Sequence, residues 1–127
     1  MILLIDHQDS FTRNLEHLLA GFDEIHVVDR MKVSHELVEC SNMLVLSPGP
    51  GSPADYPETQ AIYDKWCGKL PILGICLGFQ LILEREGARI TRQPRVLHGV
   101  ETDISVDPSS ATYSGMGDVL RVADIIP

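Results

Sequence analysis

Three uninterrupted apolar runs, Ile2–Ile5, Met43–Leu46 and Pro71–Ile75, constrain this chain more than any other feature. A strand with one wet face alternates apolar and polar residues. A run with no polar position belongs to a strand covered on both faces, as in a parallel sheet packed between helices. A fourth strand is expected at Ile25–Val28. Helical patterns lie between the runs. Ser10 is expected to cap a helix reaching about Ala20, with Phe11, Leu15, Leu18 and Leu19 on one face and Gly21 ending it. Ser34 is expected to cap a short helix carrying Leu37 and Val38. Glu58–Trp66 has helical spacing with Ile62 and Trp66 on one face, and a further helix is expected from Cys76 to about Glu86. Strands alternating with helices predict a three-layer, doubly wound α/β domain with a mostly parallel sheet, flavodoxin-like in type.

Beyond Gly87 the pattern changes. Ala88–Thr91 and Thr102–Val106 read as short strands, residues 108–118 as turns, and Val119–Pro127 as a short apolar segment. The 127 residues suffice for one compact domain, taken as 1–127, and not for two. Ten basic against eighteen acidic side chains leave a net charge of −8. Phosphate-rich partners need a basic face, so nucleic acid and anionic membrane are set aside as main partners. The apolar start, Met1–Ile5, is too short for a signal or a membrane span. Cys40, Cys67 and Cys76 are odd in number and match no zinc spacing, so no metal site is expected. Free thiols suit a reducing, cytoplasmic setting.

Ligand crevices of doubly wound sheets lie outside the carboxyl ends of the strands, and three suggestive loops fall there. The first is Gly74-Ile75-Cys76-Leu77-Gly78, a nucleophile flanked by glycines between a strand and a helix. A tight strand-to-helix turn lifts such a nucleophile out of the backbone, and the flanking glycines let chains pass closely. A thiol at a helix N-terminus is favoured as thiolate, and the N–H of Leu77 is placed to serve an oxyanion. A buried structural cysteine at a turn is the plainer alternative. The second loop, Ser47-Pro48-Gly49-Pro50-Gly51-Ser52-Pro53, is stiff and able to present N–H groups, or is simply a turn. The third, Asp6-His7-Gln8-Asp9-Ser10-Phe11-Thr12, is explained locally as a capped helix start.

Taken in order, Ile5-Asp6-x-x-Asp9-Ser10-Phe11-Thr12, Leu46-Ser47-Pro48-Gly49-Pro50-Gly51 and Gly74-Ile75-Cys76-Leu77-Gly78-x-Gln80 resemble the class I glutamine amidotransferases. The Asp-Ser-Phe-Thr segment is most similar to the subunits serving anthranilate and aminodeoxychorismate synthases, and the match spans roughly residues 2–122. The resemblance implies that Cys76 attacks L-glutamine and forms a γ-glutamyl thioester. It implies an oxyanion hole from the N–H groups of Gly51 and Leu77. Substrate would be held by Gly49, Pro50, Gly51 and Gln80. Ammonia would pass to a chorismate-using synthase subunit, and no cofactor is called for. Leu97-His98-Gly99-Val100 resembles the loop lying near that partner.

Several positions depart from the pattern. His7-Gln8 replaces Asn-Tyr, Phe79 replaces His, and Val100 replaces Lys. The family's downstream His-x-Glu pair and Tyr-His-Ser-Leu segment are not matched, and Leu120-Arg121-Val122-Ala123 aligns with the approach to the latter. His7, His17, His26, His35 and His98 are all expected in surface or loop positions. Two readings follow: an amidotransferase subunit, shortened at its C-terminus and impaired, or an inactive binding or regulatory module docking on a synthase. An unrelated hydrolase with a cysteine elbow is a third.

Overall fold

The computed structural model describes residues 1–92, 94 and 98–125, which divide into two units, Met1–Ile90 and Thr91–Pro127.

The first unit is a parallel sheet of four strands: β1 (Ile2–Asp6), β2 (Ile25–Asp29), β3 (Met43–Leu46) and β4 (Ile72–Gly74). Their order is β2-β1-β3-β4. The register sets Ile2 beside Ile25 and Met43, and Leu46 beside both Ile5 and Gly74. The strands β1, β3 and β4 are therefore neighbours and end level with one another. All three motif loops leave the sheet at this one edge.

The apolar runs of β1 and β3 are buried on both faces, as their composition requires, whereas β4 is an edge strand of this sheet and its Leu73 is 37% exposed, against the expectation from its apolar run. Leu3, Ile5, Leu44 and Leu46 pack on one side with Val38 of α2 (His35–Glu39), Ile62 and Tyr63 of α3 (Pro57–Trp66), and Leu77 and Leu81 of α4 (Leu77–Arg85). Ile2, Leu4 and Val45 pack on the other with Leu15 and Leu19 of α1 (Thr12–Leu19). Each such side chain, fully buried, is worth roughly 1.5–3 kcal/mol. The three-layer α/β expectation holds for this unit.

Two local expectations change in this unit. Ser10 does not cap α1: the helix spans Thr12–Leu19, with Phe11 at the cap position and no side-chain cap bond. The Asp9 carboxylate accepts the N–H of Phe11 in the turn ahead of the helix, and Asp6 accepts the Thr12 hydroxyl. Ala88–Thr91 forms no strand. The end of α4 consumes it: Gly87 turns to φ 92° and donates to the Glu84 carbonyl, and Ala88 donates to that of Leu83. This pair of bonds caps the helix carbonyls and leaves the chain irregular. Ser34 does cap α2, its hydroxyl accepting the N–H of Leu37.

The second unit is an antiparallel hairpin of β5 (His98–Ser105) and β6 (Val119–Ile125). Asp103 lies opposite Arg121 and pairs with it at 2.9 Å. The first strand begins earlier than the expected Thr102. The intervening residues make successive turns, with Asp107 accepting the N–H and the hydroxyl of Ser109.

Candidate active site

Cys76 sits between β4 and α4 with φ 53° and ψ −107°, a backbone state that residues bearing a Cβ rarely adopt. The strain survives because the flanking segments fix it. Ile75 donates to the carbonyl of Leu46, Gly78 to that of Ile75, and Gln80 to that of Cys76. The two glycines are sterically required. A Cβ on Gly74 would meet the backbone of Gly78 and Phe79, and a Cβ on Gly78 would collide with the Leu46 carbonyl. The result is an exposed thiol at the N-terminus of a nine-residue helix. An accessible sulfur in that position can act as a nucleophile.

The Pro-Gly loop leaves the neighbouring strand and closes against the elbow. Gly49 has no room for a side chain: a Cβ there would lie 2.6 Å from the Cβ of His7 and 2.7 Å from Cδ2 of Leu77. Gly51 takes φ 78°, and a Cβ would lie 2.6 Å from the Asp55 carboxylate. That carboxylate accepts the N–H and hydroxyl of Ser52, bonds that hold its pKa below the usual range. The Tyr56 hydroxyl donates to the Pro50 carbonyl at 2.5 Å, and burial pushes its pKa up. Among the described residues, no carbonyl or side chain accepts the N–H of Gly51 or of Leu77. Free donors of this kind suit an oxyanion.

Gln80 lies one turn beyond Cys76 on α4 and is half-buried, while Phe79 is exposed. The elbow and the Pro-Gly loop thus meet at Leu77 and Gly49. Leu97 lies outside the described residues, and His98, Gly99 and Val100 belong to the second unit.

His7 lies in a loop, one of the two positions expected of it, but not at the surface. It is 1% exposed, and its imidazole is held at both nitrogens. Nδ1 lies 3.1 Å from Ser47 Oγ, and Nε2 lies 3.1 Å from Thr59 Oγ1. Burial, with Arg30 nearby, lowers its pKa to about 4. Sequence reasoning missed the roles of His7, Tyr56 and Thr59 here. The available signal was a Thr on the apolar side of α3, one turn before Tyr63. His17, His26 and His35 are exposed on α1, β2 and α2.

The sequence model of the glutamine amidotransferase class-I family matches residues 3–124. The chain belongs to this family. Its relatives include anthranilate synthase component 2 of Lactococcus lactis, 39% identical over 105 residues, covering 82% of this chain and 53% of that protein. The aminodeoxychorismate/anthranilate synthase component 2 of Bacillus subtilis is 40% identical, over 84% of this chain and 57% of that protein. Aminodeoxychorismate synthase component 2 of Serratia marcescens is 35% identical, over 96% and 65%. The chain spans a little over half to about two thirds of the length of these relatives. The fold matches a GMP synthase-type protein of Thermoplasma acidophilum with TM-score 0.77 at 23% identity, covering 97% of this chain and 62% of that one. It also matches a glutamine amidotransferase of Thermotoga maritima with TM-score 0.73 at 19% identity, over 98% and 59%. Among the described residues, no helix is long and apolar enough to cross a membrane.

Proposed function

We propose that this chain is the glutamine-hydrolysing part of an amidotransferase that delivers ammonia to a chorismate-using synthase subunit. The observation that carries the reading is the strained elbow at Cys76 with the Pro-Gly loop packed against Leu77. The family and the component 2 relatives support it.

In this mechanism the Cys76 thiolate attacks the side-chain amide carbon of L-glutamine. The carbonyl oxygen becomes an oxyanion between the N–H groups of Gly51 and Leu77. Gly49, Pro50 and Gln80 hold the substrate around it. The tetrahedral intermediate collapses, the C–N bond breaks, and ammonia leaves with a proton. Water then hydrolyses the γ-glutamyl thioester to glutamate and frees the thiol. Removing one such donor typically costs about 10²–10³ in rate.

The thiol proton needs an acceptor. Within Met1–Ile90, His7 has both nitrogens engaged, and no hydrogen bond joins any histidine to Cys76 among the described residues. That observation favours one second reading, a module that binds glutamine or a synthase without turnover. A general base is worth roughly 10²–10⁴-fold, so its source decides between the two readings.

The test is competitive labelling with a glutamine-mimicking diazoketone. Cys76 is expected to react at least tenfold faster than Cys40 or Cys67, which are also exposed. Equal rates at the three thiols would sink the nucleophile assignment. Adding a chorismate-using partner, chorismate and glutamine then reads the partnership: anthranilate or aminodeoxychorismate should form. Selective labelling with no product selects the binding module.

A further inference from the structure

We propose that His7 is a positioning residue, an imidazole wedged between Ser47 and Thr59 that holds the Pro-Gly loop against the Cys76 elbow. The inference rests on the reading of Gly51 and Leu77 as the oxyanion donors.

The geometry is a three-way tie. The backbone N–H of His7 donates to Ser47 Oγ at 2.9 Å, and its Nδ1 lies 3.1 Å from the same oxygen. The Ser47 hydroxyl donates onward to the Pro48 carbonyl at 2.7 Å. With that hydrogen committed, Nδ1 must carry the ring proton and donate to Ser47. Nε2 is then the acceptor and takes the hydroxyl hydrogen of Thr59. Ser47 and Thr59 are wholly buried, so each bond broken leaves a dry polar atom behind. One side chain thereby ties the end of β1 to the start of the Pro-Gly loop and to α3. Its Cβ, with Leu77 Cδ2, forms the wall against which Gly49 packs.

The surroundings keep the ring in this state. Tyr56 meets it edge to face at 5.0 Å between centroids, while its hydroxyl holds the Pro50 carbonyl. Arg30 lies over the ring of that tyrosine, 4.8 Å from its centre, and is paired with Glu58. Of the charged groups facing His7, Arg30 opposes an imidazolium and Asp6 favours one, and burial opposes it most. A neutral ring with one donor and one acceptor fits two hydroxyls; a charged ring would place a second donor against Thr59.

The experiment compares wild type, His7→Phe, His7→Asn and Thr59→Val in the full chain. It measures Cys76 labelling by the glutamine-mimicking diazoketone relative to iodoacetamide, which needs no oxyanion site. His7→Phe is expected to lower that ratio at least tenfold with the iodoacetamide rate within twofold. His7→Asn, whose amide reaches the Nδ1 position, should stay within about threefold of wild type. Thr59→Val should fall between them. Equal losses in Phe and Asn, or no loss in either, would overturn the proposal. So would parallel falls in both labelling rates, which mark a collapsed site. If His7→Phe does not fold, the Thr59→Val and His7→Asn ratios decide on the same terms. Ring ¹⁵N shifts in wild type at pH 6 give an arm independent of glutamine chemistry: Nδ1 protonated and Nε2 not. An imidazolium or the other tautomer there overturns the tie itself. A wild-type ratio at Cys76 no higher than at Cys40 and Cys67, with the expected tautomer, instead removes the oxyanion reading, and His7 loses the role with it.

Discussion

At the scale of single residues, the elbow is governed by steric exclusion. Gly78 passes so close to Leu46 that a methyl group would collide with a backbone carbonyl, which cannot rotate away. Gly78→Ala should therefore destabilise the first unit by about 1–3 kcal/mol or more, as overpacking does. Gly21→Ala is the control, since its nearest neighbour would be in ordinary contact at 3.5 Å. Urea unfolding followed by the single tryptophan, Trp66, measures both; a Gly78→Ala midpoint equal to that of Gly21→Ala would refute the steric account. These glycines were legible in the sequence because a nucleophile between two glycines after an apolar strand has one efficient geometry. The burial of His7 was not. A histidine after a strand reads as a loop residue, and only the tertiary placement of Ser47 and Thr59 supplies both of its partners.

At the scale of elements, local signals worked where the chain terminates its own hydrogen bonds and failed where two residues compete. Ser34 precedes a five-residue helix that has little propensity to form alone. Its hydroxyl accepts from Leu37, so Ser34→Ala should cost about 1 kcal/mol. Faster amide exchange in α2, with α4 unchanged, is the expected signature; uniform exchange across both helices would count against it. At α1, Asp9 and Ser10 both suit a cap. Neither takes the role: the cap position falls at Phe11 with no side-chain bond, because the Asp9 carboxylate is spent on the N–H of Phe11 while Asp6 engages the Thr12 hydroxyl. At α4, the sequence placed a strand after Gly87, yet the helix carbonyls claim Gly87 and Ala88 first. The apolar strands were read to within a residue or so at their ends, since an unbroken apolar run has few other places to go.

At the scale of the molecule, the buried imidazole makes stability depend on pH in a defined window. His7 has a folded-state pKa of about 4 against an ordinary 6.5. Between those values the unfolded chain binds a proton that the folded chain refuses, so stability rises with pH across the window and is lost as pH falls through it. The group is 1% exposed, so solvent screening takes little from the effect. From pH 7.5 to 5 the linkage amounts to about 2 kcal/mol, at 1.36 kcal/mol per pH unit. The carboxylates act elsewhere. Asp23, Asp29, Glu36 and Asp55 have lowered pKa values, their stabilisation is present above their ordinary values, and it disappears only at more acid pH. The two origins are therefore separable. Denaturant unfolding at pH 5, 6 and 7.5, read by Trp66, should show the slope in wild type and its loss in His7→Phe. The variant should be less stable than wild type at pH 7.5, because Ser47 and Thr59 lose a partner, and the difference should narrow at pH 5. A constant difference at the three pH values would mean that the buried ring titrates alike in the folded and unfolded chain, contrary to its environment.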